Sequence, residues 1–299
     1  MGSDGSSATA AYLEHLGDSD VLLLAGPDGG SSPAEARAYL RSRRGGIDDL
    51  LVSDRLVAAV FGQGREGDPL MRVSPFLLFA VAVERTVGAL ASASYVPEWA
   101  GVSRRTVLFD APRLRQFVAS PWSRLFLAEL LASFSHVASG SVFVATRRGW
   151  RRQRFSELDP VRMATLLDVV GEAERPGVLR RLGDIALFLT GVFPDHVARR
   201  GFGPVELARL SRSGGLHAGG TAGPHVGGDE DAVVLLEHLG SRWYRAACGA
   251  LPRPVPQSLA VLGEVAERFG DARRILGLVT ERYLFPYRAR WFAPGLSDG

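Results

Sequence analysis

The sequence predicts a mainly α protein: a helical bundle built on two central apolar helices, with one small β-hairpin at about residues 141–155. Three observations predict it. Phe76 to about Leu90 and Leu182 to Phe193 carry almost no polar residue over two turns or more, and a helix without a polar face must be surrounded by protein. Most other segments place apolar residues at helical spacing. Ser141–Thr146 (SVFVAT) is short and β-branched, and a second short run, Arg151–Phe155, follows Gly149. That is a hairpin pattern with its tip near Arg148, Gly149 and Trp150.

The remaining elements follow in chain order. After a flexible N-terminus over residues 1–7, residues 8–17 read as a short helix, and Val21–Leu24 as an apolar run before a Gly/Ser turn. Ser32–Pro33 is a helix start, an N-cap followed by proline at the first turn, and Gly45–Gly46 a stop. Ile47 to Phe61 reads as one amphipathic helix. Ser74–Pro75 opens the first central helix. Further helices are expected at about Trp122–Val137, Pro160–Val170, Val205–Ser211, Asp231–Ala247 and Gln257–Leu284, the last with a break near Gly270–Asp271. Its seam of Leu259, Leu262, Val265, Phe269, Ile275, Leu278, Val279 and Tyr283 is a packing pattern, with Glu264, Glu267, Arg273 and Arg274 between. Residues 213–229 are too glycine-rich to bury anything and read as a loop or linker. Residues 285–299 read as an extended tail. The expectation is a single domain over residues 1–299.

Composition narrows the function classes. With 46% hydrophobic and 22% charged residues in 299 positions, the chain is ordinary for a globular protein. All 35 basic residues are arginine. Lysine codons are A-rich, so the pattern fits a GC-rich bacterial genome. Without lysine there is no pyridoxal Schiff base, no Walker A loop and no kinase strand lysine. The net charge of +3 is too small to argue for nucleic acid by itself. Cys248, the only cysteine, excludes an internal disulfide. The N-terminus has neither the charge nor the apolar run of a secretory signal. Gly2 and Ser6 match a myristoylation pattern, which carries no meaning in a bacterial chain. The longest apolar runs reach nine residues, about half a bilayer span. The expected location is the cytoplasm.

Several motifs bear on function. Gly62–Gly67 (GQGREG) spells G-x-G-x-x-G after an apolar run, but Asp68–Pro69 follows at once and no helix opens inside it, so a dinucleotide loop is not supported. Residues 147–154 hold five arginines in eight positions (Arg147, Arg148, Arg151, Arg152 and Arg154), with Trp150 among them and no acid. Such a hairpin would meet phosphates through arginine and stack a base on the indole, or meet an acidic protein. The plain alternative is a charged edge that prevents aggregation. Glu129 and His136 are two helical turns apart, and Asp184, Asp195 and His196 lie on or just after a central helix. Together they form the inventory of a metal site in a bundle, without the paired Glu-x-x-His spacing of di-iron proteins. No cofactor is expected, and no G-x-S-x-G elbow is present.

The segment Glu174–Gly177, Arg180–Asp184 and Phe193–His196, with Trp243–Arg245, resembles stretches of uncharacterised bacterial proteins; the resemblance implies a family and no activity. The expected function is that of a binding or regulatory protein using Arg147–Arg154 on a polyanion or acidic partner. Two alternatives stay open: a small-molecule or metal-dependent enzyme with its site in the helical core, and an assembly component.

Overall fold

The computed structural model describes residues 2–43, 46–62, 68–135, 139–146, 149–215, 229–251 and 255–292. Chain contacts group into two compact units: Met1–Val96 with Phe109–Ser133, and Pro97–Leu108 with Phe134–Gly299. The two apolar helices expected at the centre fall one in each.

The first unit runs through α1 (Gly2–His15), α2 (Asp18–Ala25), α3 (Pro33–Ser42), α4 (Asp48–Leu51), α5 (Asp54–Phe61), α6 (Pro75–Ala91), α7 (Ala111–Val118) and α8 (Pro121–Phe134), whose last residue belongs to the second unit. The N-terminus, expected to be flexible, is helical from Gly2. A capping box opens α3: Ser32 Oγ accepts from Glu35 N at 3.2 Å and Glu35 accepts from Ser32 N at 3.2 Å. The single helix expected over residues 47–61 is broken, because Ser53 leaves the helix and caps α5 by accepting from Leu56 N. Ser74 caps α6 in the expected way, with Pro75 in its first turn.

Helix α6 is buried through nine consecutive residues, Phe76–Glu84. The last of these is a carboxylate inside the core. Glu84 accepts from Arg124 Nε at 2.7 Å and from the Tyr12 hydroxyl at 3.3 Å. Arg124 also donates to the Val118 carbonyl at 2.9 Å and to Asp48. Every group in the cluster is therefore partnered, as buried charges require. Even so, burial outweighs the pull of Arg124 and raises Glu84 to about 7.

The second unit holds two hairpins, β1 (Val96–Trp99, whose first residue belongs to the first unit) with β2 (Arg105–Leu108) and β3 (Ser139–Thr146) with β4 (Gly149–Ser156). It continues with α9 (Pro160–Leu166), α10 (Arg175–Val192), α11 (Pro194–Arg200), α12 (Pro204–Ser213), α13 (Asp229–Gly249), α14 (Gln257–Glu267), α15 (Phe269–Val279), a π turn at Thr280–Leu284 and α16 (Arg288–Phe292). The β3–β4 hairpin is the expected one, antiparallel with Phe143 opposite Arg152 and Thr146 opposite Gly149. Gly149 and Trp150 are thus strand and not tip. The first hairpin was not expected, since Pro97 within Val96–Trp99 masks the strand pattern.

Helix α10 is the core of this unit, buried over eleven consecutive residues, Leu182–Val192, and it packs on α13 and α15. A Cβ at Gly183 would lie 2.5 Å from the Tyr244 ring, so glycine is what lets α13 approach. The neighbouring Asp184 accepts from the Tyr244 hydroxyl at 2.8 Å. The break between α14 and α15 comes at Arg268, earlier than Gly270–Asp271. From Phe285 the chain does not run out as an extended tail. It turns into α16, and Trp291 and Phe292 are buried, the latter edge-on to Phe188; two large aromatics bury enough surface to hold the segment down. No described helix is long and apolar enough to cross a membrane.

Candidate functional site

A cleft of about 620 Å³ opens in the second unit, lined by the β1–β2 hairpin, the end of α10, the start of α11, and α15 with the π turn that follows it. Its volume lies in the range of small-ligand sites.

The hairpin supplies one wall. Its turn is closed by Ala100 N donating to the Arg104 carbonyl. Ser103, the one non-glycine with positive φ among the described residues (55°), directs its N–H to Asp195 Oδ1 at 3.3 Å. Asp195 also accepts from Trp99 Nε1 at 2.6 Å. The indole is therefore pinned at the cleft, and a left-handed serine is the strain that accompanies it.

A network of buried charge ties the hairpin to α15. Glu98 accepts from Arg274 Nε at 2.7 Å and from Arg273 Nη2. Arg273 Nε lies 2.9 Å from Glu237 at an angle too poor for a hydrogen bond, so that pairing is ionic. Asp271, fully buried, takes Arg268 at 3.0 Å and Arg274 at 3.5 Å. Nearer the mouth, Arg105 pairs with Glu281 at 2.6 Å. Glu281 sits in the π turn, a helix distortion frequent at functional sites.

Arg288 is different. Its guanidinium donates to the Val192 carbonyl at 3.2 Å and lies over the rings of Phe285 (5.0 Å) and Phe193 (5.6 Å). Among the described residues no carboxylate is within ion-pair distance of it. Burial lowers its pKa below the usual arginine value, though a guanidinium stays charged throughout the ordinary range. His196 is half-buried; burial first, then Arg200 and Arg199, push its pKa down, so the imidazole is neutral near pH 7. Among the described residues, five arginines and three carboxylates line the cleft. Trp99, Phe193, Phe285, Pro97 and Val192 supply apolar surface between them.

Of the carboxylates and histidines singled out from sequence, His196 and its neighbour Asp195 line this cleft. Glu129 belongs to the first unit and pairs with His15 Nε2 at 2.8 Å, a bond that raises the His15 pKa. Asp184 is committed to Tyr244 inside the second unit. His136 lies outside the described residues, as do Arg147 and Arg148. For Trp150, Arg151, Arg152 and Arg154 the described structure gives the β4 backbone, and their side chains lie outside it. Gly62 ends α5, and the rest of the GQGREG run lies outside the described residues. Among the described residues, no three His, Cys, Asp or Glu side chains gather as a metal site. Cys248 is half-buried, and burial pushes its thiol pKa up, away from a reactive thiolate.

The cleft residues Glu98, Trp99, Arg105, Arg273, Arg274 and Arg288 carry no local motif. The adjacent Arg273–Arg274 pair was visible in the sequence only as charge interrupting an apolar seam. No family model, curated protein or solved structure matches the chain.

Proposed function

We propose that the protein is a binding protein for a small organic anion, held in the cleft of the second unit. The observation that carries this reading is Arg288, a cation facing a concave, partly aromatic site with only a carbonyl and two rings as close partners. A carboxylate or phosphate on the ligand would complete that guanidinium with paired hydrogen bonds. The apolar or aromatic body of the ligand would lie against Trp99, Phe193 and Phe285. Glu98 positions the wall, while Asp195 and Glu281 act on Arg288 through space from beyond ion-pair distance and leave its guanidinium without a bonded carboxylate.

The test is calorimetric titration of wild type and Arg288→Ala with a panel of aromatic and aliphatic carboxylates and phosphate monoesters. Binding by wild type that weakens at least tenfold in the variant, about 1.4 kcal/mol, supports the reading. Wild-type binding that the variant retains contradicts it.

A second reading keeps the β3–β4 hairpin as a contact for a polyanion or acidic partner. It is favoured by β4, which carries Arg151, Arg152 and Arg154 in one antiparallel strand. Changing Arg148, Arg151 and Arg152 to alanine would abolish that binding, and unchanged binding would end it.

A further inference from the structure

The geometry points to a second anion site on the same unit, a groove of about 710 Å³ that takes a compact ligand carrying two or three linked phosphates. The groove lies away from the cleft of Arg288 and shares none of its lining residues.

Three helices build it. Arg175 opens α10, Arg209 and Arg212 lie three apart on α12, and Arg242 and Arg245 lie three apart on α13. Residues three apart share a helix face, so each pair presents two guanidiniums to one groove. Among the described residues Asp168 is the single acid in the lining, and the floor is Ala164, Leu167, Leu179 and Ala246. The whole chain has 35 basic and 32 acidic residues. Five arginines against one carboxylate is therefore a local concentration, not the average surface.

Nor are these arginines consumed elsewhere. Among the described residues, Arg209, Arg212 and Arg245 have no carboxylate within ion-pair distance, and Arg175 reaches only the highly exposed Glu172 at 3.5 Å, a pair of little worth in water. Arg242 is held by the chain itself, donating from Nε to the Gly214 carbonyl at 2.6 Å and from Nη2 to the Gly215 carbonyl at 3.4 Å. That anchorage depends on Gly215, whose φ of 71° is a left-handed conformation suited to glycine. Arg242 is thus preoriented without being neutralised.

Five like charges in one concavity repel one another until an anion enters. A terminal phosphate brings about −1.5 to −2 and three acceptor oxygens that match the guanidinium fork, and each internal phosphate of a chain adds about one further negative charge. Two or three phosphates therefore balance the excess that one acid leaves. The volume is that of a small-ligand pocket, which favours a compact molecule over a nucleic acid backbone.

The test is isothermal titration of the full chain with inorganic tripolyphosphate and, separately, with ATP, at salt from about 50 to 200 mM. Wild type, Arg209→Ala/Arg245→Ala and Arg288→Ala are compared, with helicity checked by circular dichroism. Wild type is expected to bind with affinity that falls as salt rises. The double variant is expected to lose at least tenfold, and Arg288→Ala to bind as wild type does. ATP binding tighter than tripolyphosphate assigns a nucleotide as the source, and equal binding assigns the phosphate chain alone. The proposal is overturned by absent binding at low salt, by equal binding to the double variant, or by a single-stranded oligonucleotide binding tighter than either probe. Should the double variant lose helicity, Arg212→Ala repeats the comparison.

Discussion

The two clefts of the second unit each gather five arginines, and the arginines play different parts in them. In the first, Arg273 and Arg274 converge on Glu98 and Arg105 is tied to Glu281. In the second, three arginines have no carboxylate in reach among the described residues. A chain without lysine must use arginine both to build and to bind. What separates the two uses is a carboxylate in place, together with burial: the Arg273 side chain is 9% exposed, whereas Arg209, Arg212 and Arg245 are exposed.

The largest effect that would test the contrast is on Glu98. Glu98→Ala removes the acceptor shared by two arginines and leaves Arg273 buried with one poorly aligned partner. Breaking a buried pair in this way costs about 3–5 kcal/mol, and urea denaturation is expected to show a loss near the lower figure.

A comparable effect lies in the first unit, where Arg124 is also a building arginine. Glu84 titrates at about 7 in the folded chain, against about 4.3 when unfolded. The folded state thus holds a proton that the unfolded state has released. Stability from this group is full below the unfolded value and declines as pH rises toward 7. Over that window the loss is about 3 kcal/mol. His15, raised by Glu129, adds a loss in the same direction through its own range above 6.5, while the lowered His196 opposes it below 6.5. Glu84→Gln should flatten the wild-type decline between pH 5 and 7 in denaturation series, and an unchanged slope would place the proton elsewhere.

The smallest effect is in the second groove. Arg209→Ala should leave stability within about 0.5 kcal/mol, as at other unpaired surface positions, while weakening tripolyphosphate binding. A large loss of stability would show that the arginine is part of the frame.

What the sequence made legible was local. Ser74–Pro75 and the unbroken apolar run behind it identified α6, and the same logic identified α10, because burial on all sides leaves a compositional trace. The β3–β4 hairpin was legible from β-branched residues meeting a glycine. Ser53 broke an apparent helix because capping competes with helix continuation, and periodicity alone does not weigh that competition. Trp291 and Phe292 anchored a segment that their flanking prolines and glycines disguised as tail. The clefts were not legible at all. Glu98 meets Arg273 across 175 positions and Arg105 meets Glu281 across 176, so no window of sequence contains either pair. The sequence drew notice to Arg147–Arg154 because those arginines are contiguous. The arginines of the two clefts are scattered along the chain and brought together by helix packing.

The most direct measurement sets Arg273→Ala beside Arg209→Ala in the same urea titration, each also titrated with tripolyphosphate. A building arginine and a binding arginine should then separate: Arg273→Ala loses about 3 kcal/mol of stability, and Arg209→Ala keeps the wild-type midpoint but loses affinity for the anion. Equal stability losses in the two variants, or an unaltered affinity in Arg209→Ala, would contradict the division of the arginines into these two roles.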